Sequence, residues 1–298
     1  MTATTLPSYR SQSPEVAARF DRLRQREIAL SVRDLTKRFE TPHGEITALD
    51  HVSFDVHKRE LLSVIGPSGC GKSTLVRILA GLETATSGEV RVYDQPVSGP
   101  GCDRGMVFQS YTLFPWLTVK QNVMFGPRIA GQATITAESE ARQWIELVGL
   151  SKFENSYPHQ LSGGMKQRVA IARALANQPR VLFMDEPFGA LDAQTRCQMQ
   201  SYLLEIWKNV DITIVFITHD LDEAVYLSDR ILVLDAHPGR VRELIEVPVS
   251  RPRSFTQFIE PEFIATRHHI DTLIHPDPSH TREEFPVLRL AKADPDVL

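Results

Sequence analysis

Cysteine is scarce in this 298-residue chain: Cys70, Cys102 and Cys197 stand far apart with no C-x-x-C pair. That spacing suggests neither a disulfide framework nor a zinc site. Long apolar runs are also missing. No stretch approaches the roughly 18 consecutive apolar residues that a membrane-crossing helix needs, so the chain is not expected to span a bilayer by itself. Met1-Thr2-Ala3-Thr4-Thr5-Leu6-Pro7 lacks the charged-then-apolar pattern of a signal peptide. A cytoplasmic chain, free or attached to something else, is expected. Nor is there a surplus of positive charge: the formal net charge is -4 and the pI is near 6.2. This argues against a protein that holds nucleic acid by bulk electrostatics. What remains is ordinary globular composition, 42% hydrophobic and 23% charged, in a length that suits one large domain or two small ones.

The chain is organised around Gly66-Pro67-Ser68-Gly69-Cys70-Gly71-Lys72-Ser73-Thr74, which fits the phosphate-binding spacing G-x-x-x-x-G-K-[ST]. The flanks supply the required context. Leu61-Leu62-Ser63-Val64-Ile65 is a short apolar run that reads as a strand, and Thr74 to Ala80 repeats apolar residues at helical spacing. Glycines let backbone N–H groups turn inward on phosphate oxygens without Cβ clashes, and a helix N-terminus adds its partial positive charge. Lys72 is expected to meet the β and γ phosphates, and the Ser73 hydroxyl to ligate Mg²⁺. Cys70 is either a small residue that merely fits or a thiol whose modification blocks nucleotide.

Before this loop, Ile28 to Leu35 and Ile46 to Val56 alternate with period two and predict paired strands, a small antiparallel sheet. Residues 1–27, with Arg19, Arg22, Arg24 and Arg26 close together, read as a mobile tail or a short solvated helix. Phe39 is either core or an aromatic that stacks on a purine. After the loop come strands at Gly88 to Tyr93 and Met106 to Phe108, the latter ending at Gln109. Helical spacing then runs from Thr118 to about Gly149, with Val119, Val123, Phe125, Ile145, Leu147 and Val148 as apolar faces. Leu161-Ser162-Gly163-Gly164 opens another helix, with Ser162 suited to cap it. Val181-Leu182-Phe183-Met184 is an apolar strand ending in Asp185-Glu186-Pro187, followed by a helix over 193–209. A strand over 212–217 ends at Thr218-His219-Asp220, and 231–234 is one more. Strands alternating with helices imply an α/β fold with a mostly parallel sheet and ligand at the strands' carboxyl ends. Beyond Arg251 a helix is expected over Pro261 to Ile274, with Phe263, Ile270, Leu273 and Ile274 as a docking stripe and a polar, mobile end from Pro276.

Asp185, at the end of a buried strand, is the second Mg²⁺ contact expected beside a phosphate loop. Glu186 next to it is the natural general base, able to polarise a water in line with the γ-phosphate. The pair implies hydrolysis and not binding alone.

Leu161-Ser162-Gly163-Gly164-Met165-Lys166-Gln167-Arg168, about twenty residues before Asp185, closely resembles the signature motif of ATP-binding-cassette (ABC) ATPases. The resemblance covers roughly residues 28–248. It implies a P-loop NTPase core with an N-terminal antiparallel β subdomain and a helical signature subdomain at about 110–165, followed by a C-terminal extension over 249–298. It implies that Phe39 stacks on adenine, that Gln109 joins Mg²⁺ to the transport subunit, that Ala190-Leu191-Asp192 is a dimer-facing loop, and that His219 contacts the γ-phosphate. It also implies that Ser162, Gly163 and Gly164 face ATP bound to a second copy, so that two ATP molecules bond a head-to-tail homodimer.

Phe114-Pro115-Trp116-Leu117-Thr118-Val119, the stretch from Phe188 to Arg196, that from Asp220 to Arg230, and His237-Pro238-Gly239-Arg240 resemble the nitrate, sulfonate and taurine importer group. Lys166 stands where arginine is commoner, a change expected to be silent. The resemblance implies a peripheral ATPase subunit on the cytoplasmic face of the plasma membrane, with separate permease subunits and, indirectly, a solute-binding protein. Importers of a pyrimidine precursor or bicarbonate are alternatives, and so is a soluble non-transport ABC ATPase.

Overall fold

A computed structural model describes residues 6–42 and 44–275. In chain order the elements are α1 (Pro14–Arg24), β1 (Ile28–Thr41), β2 (Gly44–His57), β3 (Leu61–Ile65), α2 (Lys72–Leu79), β4 (Ser87–Val92), β5 (Gln95–Pro96) and β6 (Arg104–Val107). Then follow α3 (Val119–Ile129), α4 (Thr134–Leu147), α5 (Gly163–Leu175), β7 (Val181–Asp185), α6 (Ala193–Asn209), β8 (Thr213–Ile217), α7 (Leu221–Leu227), β9 (Arg230–Leu234), β10 (Val241–Glu246) and α8 (Pro261–Ile274).

Two sheets carry the chain. One is antiparallel, ordered β2-β1-β4-β5; the other is ordered β10-β9-β3-β8-β7-β6, parallel except for β10 at its edge. In the parallel sheet, β3, β7 and β8 are buried at every position, which explains why they read as continuous apolar runs: both faces are covered. Alternate side chains enter different cores. Leu61, Ile65, Leu182, Met184, Ile214 and Phe216 point to the core closed by α5, α6, α7 and α8. Leu62, Val64, Val181, Phe183, Val215 and Ile217 point to the core closed by α2 and the antiparallel sheet. A third core joins α3, α4 and α5 through Val119, Val123, Ile145, Val148 and Val169. Of the six residues expected on the faces of α3 and α4, Phe125 and Leu147 are instead exposed.

The two ends of the chain differ from each other in how they match expectation. The bounds of α8 are those expected, and it buries Phe263 and Ile270 while Leu273 and Ile274 pack partly against the large core. The expected mobile end from Pro276 lies outside the described residues. Of the two readings of residues 1–27, a mobile tail or a short solvated helix, a helix is present as α1, but it is docked and not solvated. Ser13 caps it by accepting from Val16 N, and Val16, Phe20 and Leu23, spaced four and three residues apart, are buried. The Arg19 guanidinium donates to the carbonyls of Val247 and Val249 at 2.8 and 2.9 Å. Arg24 pairs with Glu246, and Arg26 donates to the carbonyls of Lys58 and Arg59. Three of the four arginines that suggested solvation, Arg19, Arg24 and Arg26, are partners of the fold itself. No helix among the described residues is long and apolar enough to cross a membrane.

Candidate active site

The carboxyl end of β3 delivers the chain into the phosphate loop, and α2 starts at Lys72. Gly71 caps that helix with φ 90°, and a Cβ there would stand 2.8 Å from both the Ala48 carbonyl oxygen and Leu49 Cδ2. Only glycine satisfies both the backbone and the space. A second glycine supports the loop from outside: a Cβ on Gly239 would lie 2.2 Å from the Cys70 carbonyl oxygen. Gly239 N–H donates to Ala48 O, and Asp50 N–H to Gly239 O, which holds β2 beside the loop. Residues 68–74 line a cleft of about 620 Å³ together with Ala48, Glu186 and His219. Lys72, 8% exposed, sends its ammonium to Gly66 O at 2.7 Å and Pro67 O at 3.0 Å. The Cys70 thiol is buried, and burial pushes its pKa up against the opposing field of Lys72. That environment favours the reading of Cys70 as a small residue that fits.

The neighbouring parallel strands end at the same cleft. At the end of β7, burial raises the Asp185 carboxyl above its ordinary range while the hydrogen bond from Ser73 Oγ, at 3.2 Å, opposes the rise. These are two hard oxygen donors side by side. They suit Mg²⁺, which binds through one or two protein oxygens and takes its other ligands from phosphate and water. No group of three or more His, Cys, Asp or Glu that could hold a metal occurs among the described residues. Glu186 follows with φ 44°, a left-handed conformation fixed by its N–H donating to Ile217 O at 3.0 Å. Its Oε2 is 3.1 Å from His219 Nδ1 and 3.4 Å from Gln109 Nε2. Gln109, Glu186 and His219 come from the segments after β6, β7 and β8, and meet at one carboxylate oxygen.

A family model described as ABC transporter matches residues 49–189. An uncharacterized ABC transporter ATP-binding protein of Methanocaldococcus jannaschii is 52% identical over 236 residues, covering 78% of this chain and 88% of the relative. The chain is an ATPase of the ABC transporter family. A nitrate import ATP-binding protein of Synechocystis is 47% identical, covering 82% of this ATPase and 94% of the relative. An aliphatic sulfonates import ATP-binding protein of Bacillus cereus is 44% identical, covering 76% and 89%. Among solved structures, a dimeric post-hydrolysis state of an ATP-binding cassette bound to ADP and Pi matches with a TM-score of 0.64 and 32% identity, covering 74% of this chain and 99% of that one.

Not every expected site residue of the ATPase meets at the cleft. Ser162 caps α5 by accepting from Met165 N, a Cβ on Gly163 would stand 3.0 Å from Tyr111 Oη, and one on Gly164 would stand 2.6 Å from Thr195 Cγ2. None of the three lines the cleft that holds Lys72. Asp192 caps α6 by accepting from Thr195 N–H at 3.0 Å, and that bond holds its carboxyl below the ordinary range. Phe39 lies on β1 opposite Ile46, with the Lys37 ammonium 4.7 Å from its ring centre, and it does not line the cleft either.

A set of residues to which sequence reasoning gave no role ties these loops together. Arg196, on the first turn of α6, donates through Nη2 to Leu191 O at 3.1 Å and pairs through Nη1 with Asp220 at 3.6 Å. Asp220 caps α7 by accepting from Glu223 N–H. The buried Glu223 accepts from Thr218 Oγ1 and from Gln200 Nε2. The segment that carries His219 is thus hydrogen-bonded on both sides and linked to the loop before α6. The stretches containing these residues were noticeable in sequence, but the links between them exist only once β7 and β8 pair.

Proposed function

We propose that this ATPase drives an importer for a small anion, with nitrate, sulfonate or taurine as the solute class. Two copies bind two ATP head to tail, each phosphate loop completed by Ser162, Gly163 and Gly164 of the other copy. The dimer works on the cytoplasmic face of the plasma membrane through separate permease subunits, with a solute-binding protein acting indirectly. Lys72 and the loop amides hold the β and γ phosphates, and Phe39 approaches adenine. Ser73, Asp185 and Gln109 would hold Mg²⁺, which would neutralise developing phosphate charge. Glu186 takes the proton of the attacking water, and His219, hydrogen-bonded to it, orients that carboxylate toward the γ-phosphate.

The observation that carries this reading is the convergence of His219 and Gln109 on Glu186 Oε2 beside the loop of Lys72. Import is supported by the relatives' printed roles, and a permease contact by the exposed apolar side chains of Trp116, Phe125, Ile129 and Ile135 in the helical region. Glu186→Gln keeps the shape of the side chain and removes the base. Turnover is expected to fall by about 10² to 10⁴ while ATP binding persists and the dimer accumulates. Retained steady-state hydrolysis removes Glu186 from that role. The solute class is tested separately by growth of a deletion strain on nitrate or a sulfonate as sole nitrogen or sulfur source; undiminished growth on both overturns it.

A further inference from the structure

A second cavity, of about 470 Å³, shares no lining residue with the ATP cleft. Leu204 and Trp207 of α6, Tyr226 of α7, Pro252, Arg251 and Arg253 form its walls. Lys208 and Glu205, also at the cavity, are exposed and face each other at 3.9 Å, so their charges offset. The remaining walls combine flat aromatic surface with guanidinium groups. The Arg251 guanidinium stacks over the Trp207 ring at 4.3 Å. The Tyr226 ring is stacked with Phe255, at 4.9 Å and 10°.

The charge here is unbalanced. Three guanidiniums, of Arg19, Arg251 and Arg253, surround one buried carboxylate, Asp229. Only Arg251 forms an ion pair with it, at 2.8 Å. Arg253 donates to the carbonyls of Ser228, Val249 and Ser250, and Arg19 to those of Val247 and Val249. The Nε atoms of Arg19 and Arg253 are buried without a partner. Glu15 and Glu246 add weaker fields at Arg19, and Glu246 is already paired with Arg24. Burial, with Arg251 and Arg19 nearby, pushes the Arg253 guanidinium well below its ordinary pKa. A buried cation satisfied only by carbonyl dipoles is stabilised by an anion that reaches it.

We propose that this cavity is a binding site for a small organic anion with a flat apolar body. The negative head is set toward Arg253 and Arg251, and the body lies along Leu204, Trp207 and Tyr226. The volume suits a ligand of one or two fused rings, and a few charged groups among apolar walls is the usual composition of small-molecule sites. Neither half suffices alone: an inorganic or very small anion leaves the aromatic walls uncovered, and a neutral aromatic leaves the guanidinium surplus unchanged.

The test is calorimetric titration of the full chain with 2-naphthoate, acetate and 2-naphthalenemethanol. Saturable binding of 2-naphthoate at one per chain is expected, with each of the other two at least tenfold weaker. Leu204→Trp fills the cavity and leaves every charge in place; it is expected to weaken 2-naphthoate at least tenfold while ATP affinity stays unchanged. A readout that needs no folded variant at the site is the Trp207 indole N–H resonance. It should shift on adding 2-naphthoate to the unaltered protein while those of Trp116 and Trp144 stay in place. Equal affinity for the neutral alcohol, unaltered binding by a folded Leu204→Trp protein, or an unmoved Trp207 resonance overturns the proposal.

Discussion

Glu186 stands in a backbone conformation that an L-residue adopts only where its surroundings impose it. Two side chains from the segments after β6 and β8 then meet its carboxylate, and the His219 side of that arrangement is held by Arg196 through Asp220. Arg196→Gln is therefore expected to lower kcat about tenfold, because misplacing a group that positions the reacting carboxylate weakens the reaction more than it weakens binding. ATP affinity and melting temperature should stay near those of the unaltered protein. Arg196→Lys should recover only part of the rate, since Leu191 O and Asp220 are reached by two separate Nη atoms of one planar fork and a compact ammonium lacks that spread. An unchanged kcat in Arg196→Gln refutes the positioning role. The contrast between Lys72 and Arg196 shows what was legible. The phosphate loop is contiguous and its chemistry demands particular residues at fixed spacing, so Lys72, Ser73 and the glycines stand out in a single line of text. Arg196 acts on Leu191, five residues away, and on Asp220, which reaches it only by the pairing of β7 with β8.

At the scale of elements, hydrophobic pattern led to the long helices and the buried strands, whose burial on both faces leaves uninterrupted apolar runs. It failed at α7 and β10, and it left α1 between a mobile tail and a solvated helix. A seven-residue helix offers too few turns for a period to register, and β10 is a sheet edge with a single fully buried residue, Ile245. In α1 the apolar spacing was present, but the arginines on either side made the segment look solvated. Their partners, the carbonyls of Val247 and Val249 and the Glu246 carboxylate, lie more than two hundred residues away. The docking of α1 has a measurable consequence. Phe20 is fully buried, so Phe20→Ala should destabilise the folded chain by about 3 to 5 kcal/mol if α1 unfolds together with the core. Chemical denaturation checks this, and a change below about 1 kcal/mol means that the helix detaches independently of the rest.

At the scale of the whole molecule, the cleft and the start of α5 are separate features of one copy. Lys72 and Glu186 share a cleft, whereas Ser162, Gly163 and Gly164 open a helix packed against Tyr111, Leu191 and Thr195. A helix start of this kind presents unpaired backbone N–H groups that favour an anion. In the proposed head-to-tail dimer that anion is the γ-phosphate held by the other copy. Two single-cysteine variants separate this arrangement from a self-contained site. Ser68→Cys is placed in one copy and Gln160→Cys in another, both in a background where the exposed Cys102 and Cys197 are replaced by serine and Glu186→Gln retains ATP. Mixed with ATP and a short bifunctional maleimide, the two variants should give a covalent pair of twice the chain mass. Either variant alone should give much less, because each then lacks one of the two facing thiols. A link that forms only when both cysteines occupy one chain places the signature against its own phosphate loop. In that case ATP cannot be the bond between copies, and the coupling of hydrolysis to movement must run through a different interface.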